Sequence, residues 1–458
     1  METIWQPDLT ERSGPLYRAI AERLAEDIRE RRLEAGQRLP TMRILAERLE
    51  VTVGTVYRAY ALAETQGLVV RQMGRGTFVR GRGADEAVAP AATEGTVDLS
   101  RNEPVEIPLG ATLRRTLAEM GRESDLEGLL DYGFSQGQPR HREVLARWIG
   151  RRGFAADPER MIVTSGAQQA LTIALGALTR AGDTLMVEAL TYPGIKNLAR
   201  LFGLKLRPLA IDRDGLDPGD LRAACRDEGA RVLYCMPNVH NPTTATLSAA
   251  RRREVAELAG RHSVLVIEDD VYPRAAEAPP AIAELRPEQT VYISSLSKTV
   301  APGLRVGSIT APARLYPDLV AVTQTTSWMA PPLMAELACR WIEDGTAEAL
   351  ERQREAVTRQ LHGVAETALE GAAYRREPHN AHLWLPLEAP WSGAEFAAKA
   401  AGHRILVTPA EHFAIDPNRA PAAVRLCLSA LDEDLLSGAL KTLVALARGG
   451  PGPAEFRM

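Results

Sequence analysis

Residues 295–305 read Ser-Leu-Ser-Lys-Thr-Val-Ala-Pro-Gly-Leu-Arg. Lys298 brings a primary amine that forms a Schiff base with an aldehyde, while Ser295, Ser297 and Arg305 bring hydroxyls and a guanidinium suited to a phosphate. Together these groups supply both halves of an anchor for pyridoxal 5'-phosphate. Four other segments carry the remaining polar groups that such a ring needs. Thr164-Ser165-Gly166-Ala167-Gln168-Gln169 follows an apolar run and opens a helix. The backbone N–H groups of Ala167 and Gln168 can therefore take the phosphate at a helix N-terminus. Tyr192, in Leu-Thr-Tyr-Pro-Gly, offers a flat face to the ring, and Asn241, in His-Asn-Pro-Thr, an amide donor to its phenolic oxygen. The run Val-Ile-Glu-Asp-Asp-Val-Tyr places Asp269 and Tyr272 three apart. A carboxylate beside the pyridine nitrogen keeps it protonated, so the ring withdraws electrons from its substituents.

The elements that must position these groups are legible as hydrophobic runs. Met161–Thr164, Leu185–Val187, Val232–Tyr234, Val264–Ile267 and Val291–Ile293 are short, apolar and β-branched, with helix-forming stretches such as Arg251–Gly260 between several of them. Uninterrupted apolar strands alternating with helices predict a mostly parallel sheet covered on both faces, an α/β fold. After about residue 325 the chain is helix-rich, then has apolar runs near Leu383–Leu387 and Val424–Leu428, which predict a smaller subdomain. The boundaries are a large subdomain of about 150–325 and a small one from about 98–149 and 326–458.

The first 80 residues have another character. Leu16, Ile20, Leu24 and Ile28 fall at helical spacing behind Pro15; Thr41 and Thr52 can each cap a following helix, and Gly67 can stop the second of them. Leu68–Arg71 and Thr77–Arg80 look like two strands joined through Met73-Gly74-Arg75-Gly76. Three helices and a hairpin predict a winged helix-turn-helix over residues 1–80. From Arg38 to Arg80 seven arginines meet three glutamates, a local excess that suits DNA although the whole chain carries a net charge of -4. Residues 81–97 are small and polar, without aromatic side chains, and read as a linker.

The four cysteines and eight histidines show no metal-ligand spacing. The cysteines read as buried free thiols, and His379 and His382 as structural or surface residues. No metal is expected. No apolar signal core opens the sequence and no run is long enough to span a bilayer, which predicts a cytoplasmic protein.

With these motifs in place, residues 98–458 resemble the fold-type I aminotransferases, especially the branch containing the aminoadipate and kynurenine aminotransferases. The resemblance implies that Lys298 carries the cofactor and Asp269 pairs with the pyridine nitrogen. It places Asn241 and Tyr272 at the phenolic oxygen, Tyr192 on the ring, and Ser295, Ser297, Arg305, Ala167 and Gln168 at the phosphate. Tyr132 matches a tyrosine that reaches the neighbouring subunit's phosphate, and Arg425 the arginine that grips a substrate carboxylate. Thr244 departs from the pattern where the enzymes have glycine, as does Pro273-Arg274 after the tyrosine.

Residues 38–80 resemble the GntR winged-helix family. The resemblance implies that the helix from Thr52 enters the major groove, with Arg43, Thr52, Thr55 and Gly76 at the DNA and Arg58 and Arg75 as phosphate partners. Val53 departs from a polar or basic pattern and can meet a thymine methyl instead. Together the two halves resemble the MocR/GabR transcriptional regulators. That implies a head-to-tail homodimer on operator DNA, sensing an amine or amino-acid effector by external aldimine formation at Lys298. The alternative is an active or bifunctional aminotransferase. A domain used only to dimerise, and a regulator whose signal is the cofactor itself, are further readings.

Overall fold

The computed structural model describes residues 5–7, 15–30, 32–34, 37–65, 68–72, 76–79, 95–122, 126–151, 153–227, 229–273, 278–429 and 432–450. The chain divides into two compact units, Met1–Ala91 and Ala92–Met458.

The first unit holds helices Leu16–Arg29, Met42–Arg48 and Val53–Thr65 and an antiparallel hairpin of Val69–Gln72 with Gly76–Val79. Pro15 stands at the cap, just outside the first helix, where its missing N–H costs nothing. Thr41 accepts the amide of Ile44 at 3.4 Å, and Thr52 that of Thr55 at 3.2 Å, so both expected caps are in place. Ile20, Leu24, Leu45, Val56, Tyr60, Val69 and Val79 close one core, and Tyr60 donates its hydroxyl to the Pro40 carbonyl at 3.0 Å. Leu16, counted on the apolar stripe, is half exposed in the first turn. The expected stop Gly67, the turn Met73–Arg75 and Arg80 lie outside the described residues.

In the second unit a seven-stranded sheet runs in the order Met161–Thr164, Gly307–Thr310, Thr290–Ser295, Leu265–Asp269, Ala230–Cys235, Thr184–Glu188, Lys205–Leu209. Gly307–Thr310 is antiparallel to both neighbours, and the others run parallel to one another. All five expected strands are present. Lys205–Leu209 and Gly307–Thr310 are not among them, because charged residues and a proline interrupt the first, and only two β-branched residues follow Gly-Ser in the second. Ile162, Leu171, Val187, Tyr234, Ile267 and Ile293 lie in one core, and Leu233, Val255 and Val266 in another. Gly307 has no room for a side chain: a Cβ there would stand 2.9 Å from both the Gly166 carbonyl carbon and the Ser294 oxygen, all backbone. Gly307→Ala should therefore cost roughly 1–3 kcal/mol, as overpacked interiors do, read as a lower urea midpoint with cofactor and DNA absent; an unchanged midpoint would contradict this close approach.

A second, antiparallel sheet joins Arg375–Arg376, His382–Pro386, Ala423–Cys427 and Thr408–Pro409, with Leu383, Leu385, Phe396, Leu426 and Leu440 in its core. Val97–Asp98 pairs in parallel with Ile405–Leu406, so the stretch read as linker ends in a strand. Helices Pro139–Gly150 and Pro332–Glu343, assigned by sequence position to the small subdomain, pack elsewhere. Trp148, Ile149 and Trp341 share a core with Met161, Val163 and Tyr292 of the large sheet. All four cysteines are buried free thiols.

Candidate functional site

The carboxyl ends of adjacent strands gather the chemistry, as open α/β sheets do. Asp269 ends one strand, Ser295 the next, and Thr164 a third, from which Ser165-Gly166 turns into helix Ala167–Leu178.

Ser295 Oγ donates to Ser297 Oγ at 3.0 Å and takes the amide of Ser297 at 3.1 Å. Arg305 reaches Ser297 Oγ and the Ser165 carbonyl, each at 3.4 Å. Gly166, at φ 81°, lets the guanidinium approach; a Cβ there would fall 2.5 Å from Arg305 Nη2. Two hydroxyls and a guanidinium are thus gathered beside the start of a twelve-residue helix, groups of the kind that can take a phosphate. Tyr192 donates to Gln168 Oε1 at 3.0 Å, joining the helix start to the expected ring face.

Asp269 is buried, and its Oδ2 accepts the Tyr234 hydroxyl at 2.8 Å. Its Oδ1 is equally buried and has no hydrogen-bond partner. Burial lifts the carboxyl to about 7 against the pull of the Tyr234 hydrogen bond. An orphaned carboxylate oxygen inside a protein is costly until a donor arrives. A protonated pyridine nitrogen is such a donor, so the residues present fit the predicted cofactor.

Lys298 is half-buried, with Nζ 5.8 Å from the Tyr272 ring centre and donating to the Asn102 carbonyl. Burial pulls its ammonium down to about 8, with Arg425 acting in the same direction. Only the neutral amine attacks an aldehyde, so this shift activates it. Capture of the cofactor by the apo-protein should climb as pH rises through about 8 and level off above it. Stopped-flow absorbance checks this; a rate still climbing beyond about pH 10, the range of an ordinary lysine, would contradict it.

Arg425, on strand Ala423–Cys427, donates to Asn241 Oδ1 at 2.9 Å, the Ser100 carbonyl at 2.6 Å and Thr408 Oγ1 at 3.4 Å. Its guanidinium carbon lies 4.8 Å over the Phe413 ring, and its Nε is buried without a partner. The Asn241 carbonyl oxygen thus faces Arg425, which leaves its amide as the donor end. Thr244 takes φ 62° where the enzymes have glycine, and its amide closes onto the His240 carbonyl at 2.7 Å. Lys298, Tyr272, Pro273, Asn102, Glu355 and His379 line one cleft. Arg274 lies outside the described residues.

Tyr132 stands apart. It is 85% exposed, edge-on to Trp328 at 6.0 Å, with Phe134 exposed nearby in sequence. Sequence reasoning missed Asn102 and Tyr234. The first sits in an irregular loop, and the second inside an apolar strand where it reads as core. His382 is buried and tilted against Tyr272, ring centres 5.6 Å apart, and burial keeps it neutral.

In the first unit, Arg43, Thr52 and Arg58 are exposed, and Thr52 and Thr55 hydroxyls lie 2.9 Å apart at the start of helix Val53–Thr65. Val53 and Tyr57, one turn apart, expose apolar surface there. Gly76 takes φ 116°, and a Cβ on it would meet Arg38 Nε at 2.9 Å. Arg75 lies outside the described residues.

Residues 95–443 match the family of class I and II aminotransferases, and residues 16–79 the bacterial regulatory proteins of the gntR family. The uncharacterised HTH-type transcriptional regulator YdeF of Bacillus subtilis (strain 168) is 31% identical over 437 residues, 93% of each chain. The chain belongs to the MocR/GabR family of transcriptional regulators. A second relative of this regulator is PtsJ of Salmonella typhimurium, a vitamin B6 salvage pathway transcriptional repressor. It is 30% identical over 424 residues, 88% of this chain and 91% of that one. Among solved structures, LysN, the α-aminoadipate aminotransferase of Thermus thermophilus complexed with N-(5'-phosphopyridoxyl)-L-leucine, matches with a TM-score of 0.69. Identity is 24%, covering 78% of this chain and 93% of that one. The regulator's second unit has the fold-type I architecture, its cofactor is pyridoxal 5'-phosphate, and its gntR unit binds DNA. Among the described residues no helix is long and apolar enough to cross a membrane.

Proposed function

We propose that the regulator senses a small amine or amino acid at Lys298 and reports its arrival as a change in operator binding. One observation carries the reading. An activated lysine and a buried arginine with an unpaired nitrogen lie on the same short stretch, Arg425 on the Ser100 carbonyl and Lys298 on that of Asn102. That spacing suits a ligand with an amine at one end and a carboxylate at the other.

When bound, pyridoxal 5'-phosphate supplies an electrophilic carbon on an electron-withdrawing ring. The chain's own residues do the rest. Ser295, Ser297, Arg305 and the amides of Ala167 and Gln168 hold the phosphate. Tyr192 would lie on the ring, Asp269 would keep the proton on its nitrogen, and Asn241 and Tyr272 would meet its phenolic oxygen. Lys298 would be the amine that holds the cofactor and yields that place to an effector's amine, and Arg425 would exchange a backbone carbonyl for the effector's carboxylate. Exposed Tyr132 belongs to a second subunit's phosphate site in a head-to-tail homodimer. Arg43, Thr52, Thr55, Arg58, Arg75 and Gly76 contact the operator, in the cytoplasm. An effector shifts the two arrangements only by its difference in affinity for them.

The rival, a working aminotransferase, uses the same residues with Lys298 moving a proton after exchange. The test is a panel of amines and amino acids scored for both operator affinity and keto-acid formation. Effector-dependent operator binding without sustained turnover is the expected result. Steady turnover with operator binding indifferent to every amine would overturn it.

A further inference from the structure

The loop after Val97–Asp98 runs through the site and is tied on both sides. The Leu99 amide donates to Leu406 O, its carbonyl takes the Cys427 amide, each at 2.8 Å, and Ser429 Oγ donates to Arg101 O at 3.3 Å. Asn102 is thereby held at the junction of two site residues. Its Nδ2 donates to the Tyr272 hydroxyl oxygen at 2.6 Å, and its carbonyl accepts from Lys298 Nζ. Tyr272 is only 3% exposed, just beyond the end of the strand that carries Asp269, with Lys298 and His382 beside its ring.

A phenol has one proton and one oxygen. When that oxygen accepts from Asn102, the proton is left for an acceptor on the other side, and a hydrogen bond received also sharpens the one given. An amide in this place therefore sets the direction of the tyrosine's own bond. We propose that Asn102 is a positioning residue that fixes Tyr272 as a donor toward the cofactor's phenolic oxygen and parks the unloaded Lys298 amine beside it. The proposal rests on the reading of Tyr272 given above. The carbonyl serves only the free amine, since that N–H bond is lost once the lysine is loaded. The side-chain amide serves both states.

The test is the pH dependence of the visible absorbance of the holo-protein. A donor at the phenolic oxygen competes for the charge that holds the proton on the lysine nitrogen, so losing the donor raises the midpoint. Tyr272→Phe should raise it by about one pH unit, a tenfold change in proton affinity. Asn102→Leu, which keeps the size and loses the donor, should raise it by a large part of that. In the Tyr272→Phe background Asn102→Leu should add nothing, because the amide then has no hydroxyl to act on. If Tyr272→Phe moves the midpoint and Asn102→Leu does not, the proposal fails while the reading of Tyr272 stands. Equal shifts in both backgrounds overturn it too, since Asn102 then acts independently of the phenol. If Tyr272→Phe itself moves nothing, the reading beneath the proposal fails. Should Asn102→Leu not fold, Asn102→Ala decides by the same three comparisons.

Discussion

Lys298→Ala is expected to abolish the visible absorbance of lysine-bound cofactor and to erase every response of operator affinity to added amine, while the operator complex still forms. The alanine leaves Ser295, Ser297 and Arg305 to hold a phosphate, so cofactor still binds, but more weakly and exchangeably. The fold should hold. Burial already disfavours the charge on this lysine, pulling it down to about 8, so its removal strips no favourable ion from the site. Absorbance together with fluorescence anisotropy on labelled operator reads both effects in one sample. An effector response that survives in the alanine variant would mean that the lysine is not the sensor.

Arg425→Ala should weaken an effector that carries a carboxylate by roughly 30-fold or more, because truncating one partner of a buried charged pair costs ~2–5 kcal/mol and each ~1.4 kcal/mol is tenfold. The loss is selective. An amine of similar size without a carboxylate never uses the guanidinium and should bind the variant about as before. Arg425→Lys should recover little, since a single ammonium does not reproduce the two-pronged bond. The structure itself tolerates the change better than a buried arginine usually would. The Ser100 carbonyl keeps the Thr408 hydroxyl at 2.9 Å, and Thr408 loses only a long 3.4 Å bond, so the chief group left without its partner is the Asn241 oxygen. Absorbance titration of both ligand types against wild type and variant gives the comparison. An equal loss for both would move Arg425 from effector recognition to structural support.

Much of this site is legible in the sequence because its residues sit at the ends of apolar strands, where a run of β-branched residues stops and polar types begin. Asp269, Ser295 and the turn after Thr164 are all found that way. Lys298 and Arg305 follow from the short reach of one loop. The antiparallel strand Gly307–Thr310 escapes notice for the converse reason. Only Ile309 in it is large and apolar, set among small and polar residues, so the run is too short to announce a strand although the sheet buries all of it. Asn102 and Tyr234 have no local signature either. Each acts on a residue 170 or 35 positions away, and only the folded chain brings such partners together. The same holds for the helices Pro139–Gly150 and Pro332–Glu343, whose apolar faces do not say which sheet they cover. Tyr132 is singled out only by resemblance, since an exposed aromatic ring carries no local signature of a site.

The central claim is that the lysine exchanges its partner in order to report, and that the report reaches DNA. The most direct measurement titrates one amino acid into holo-protein bound to labelled operator, following cofactor absorbance and operator anisotropy in the same cuvette. The account predicts that the two signals change together, with one midpoint, for effectors that exchange with Lys298, and that operator anisotropy does not change in Lys298→Ala. Absorbance that responds fully while operator affinity stays constant, for every amine tried, would contradict it.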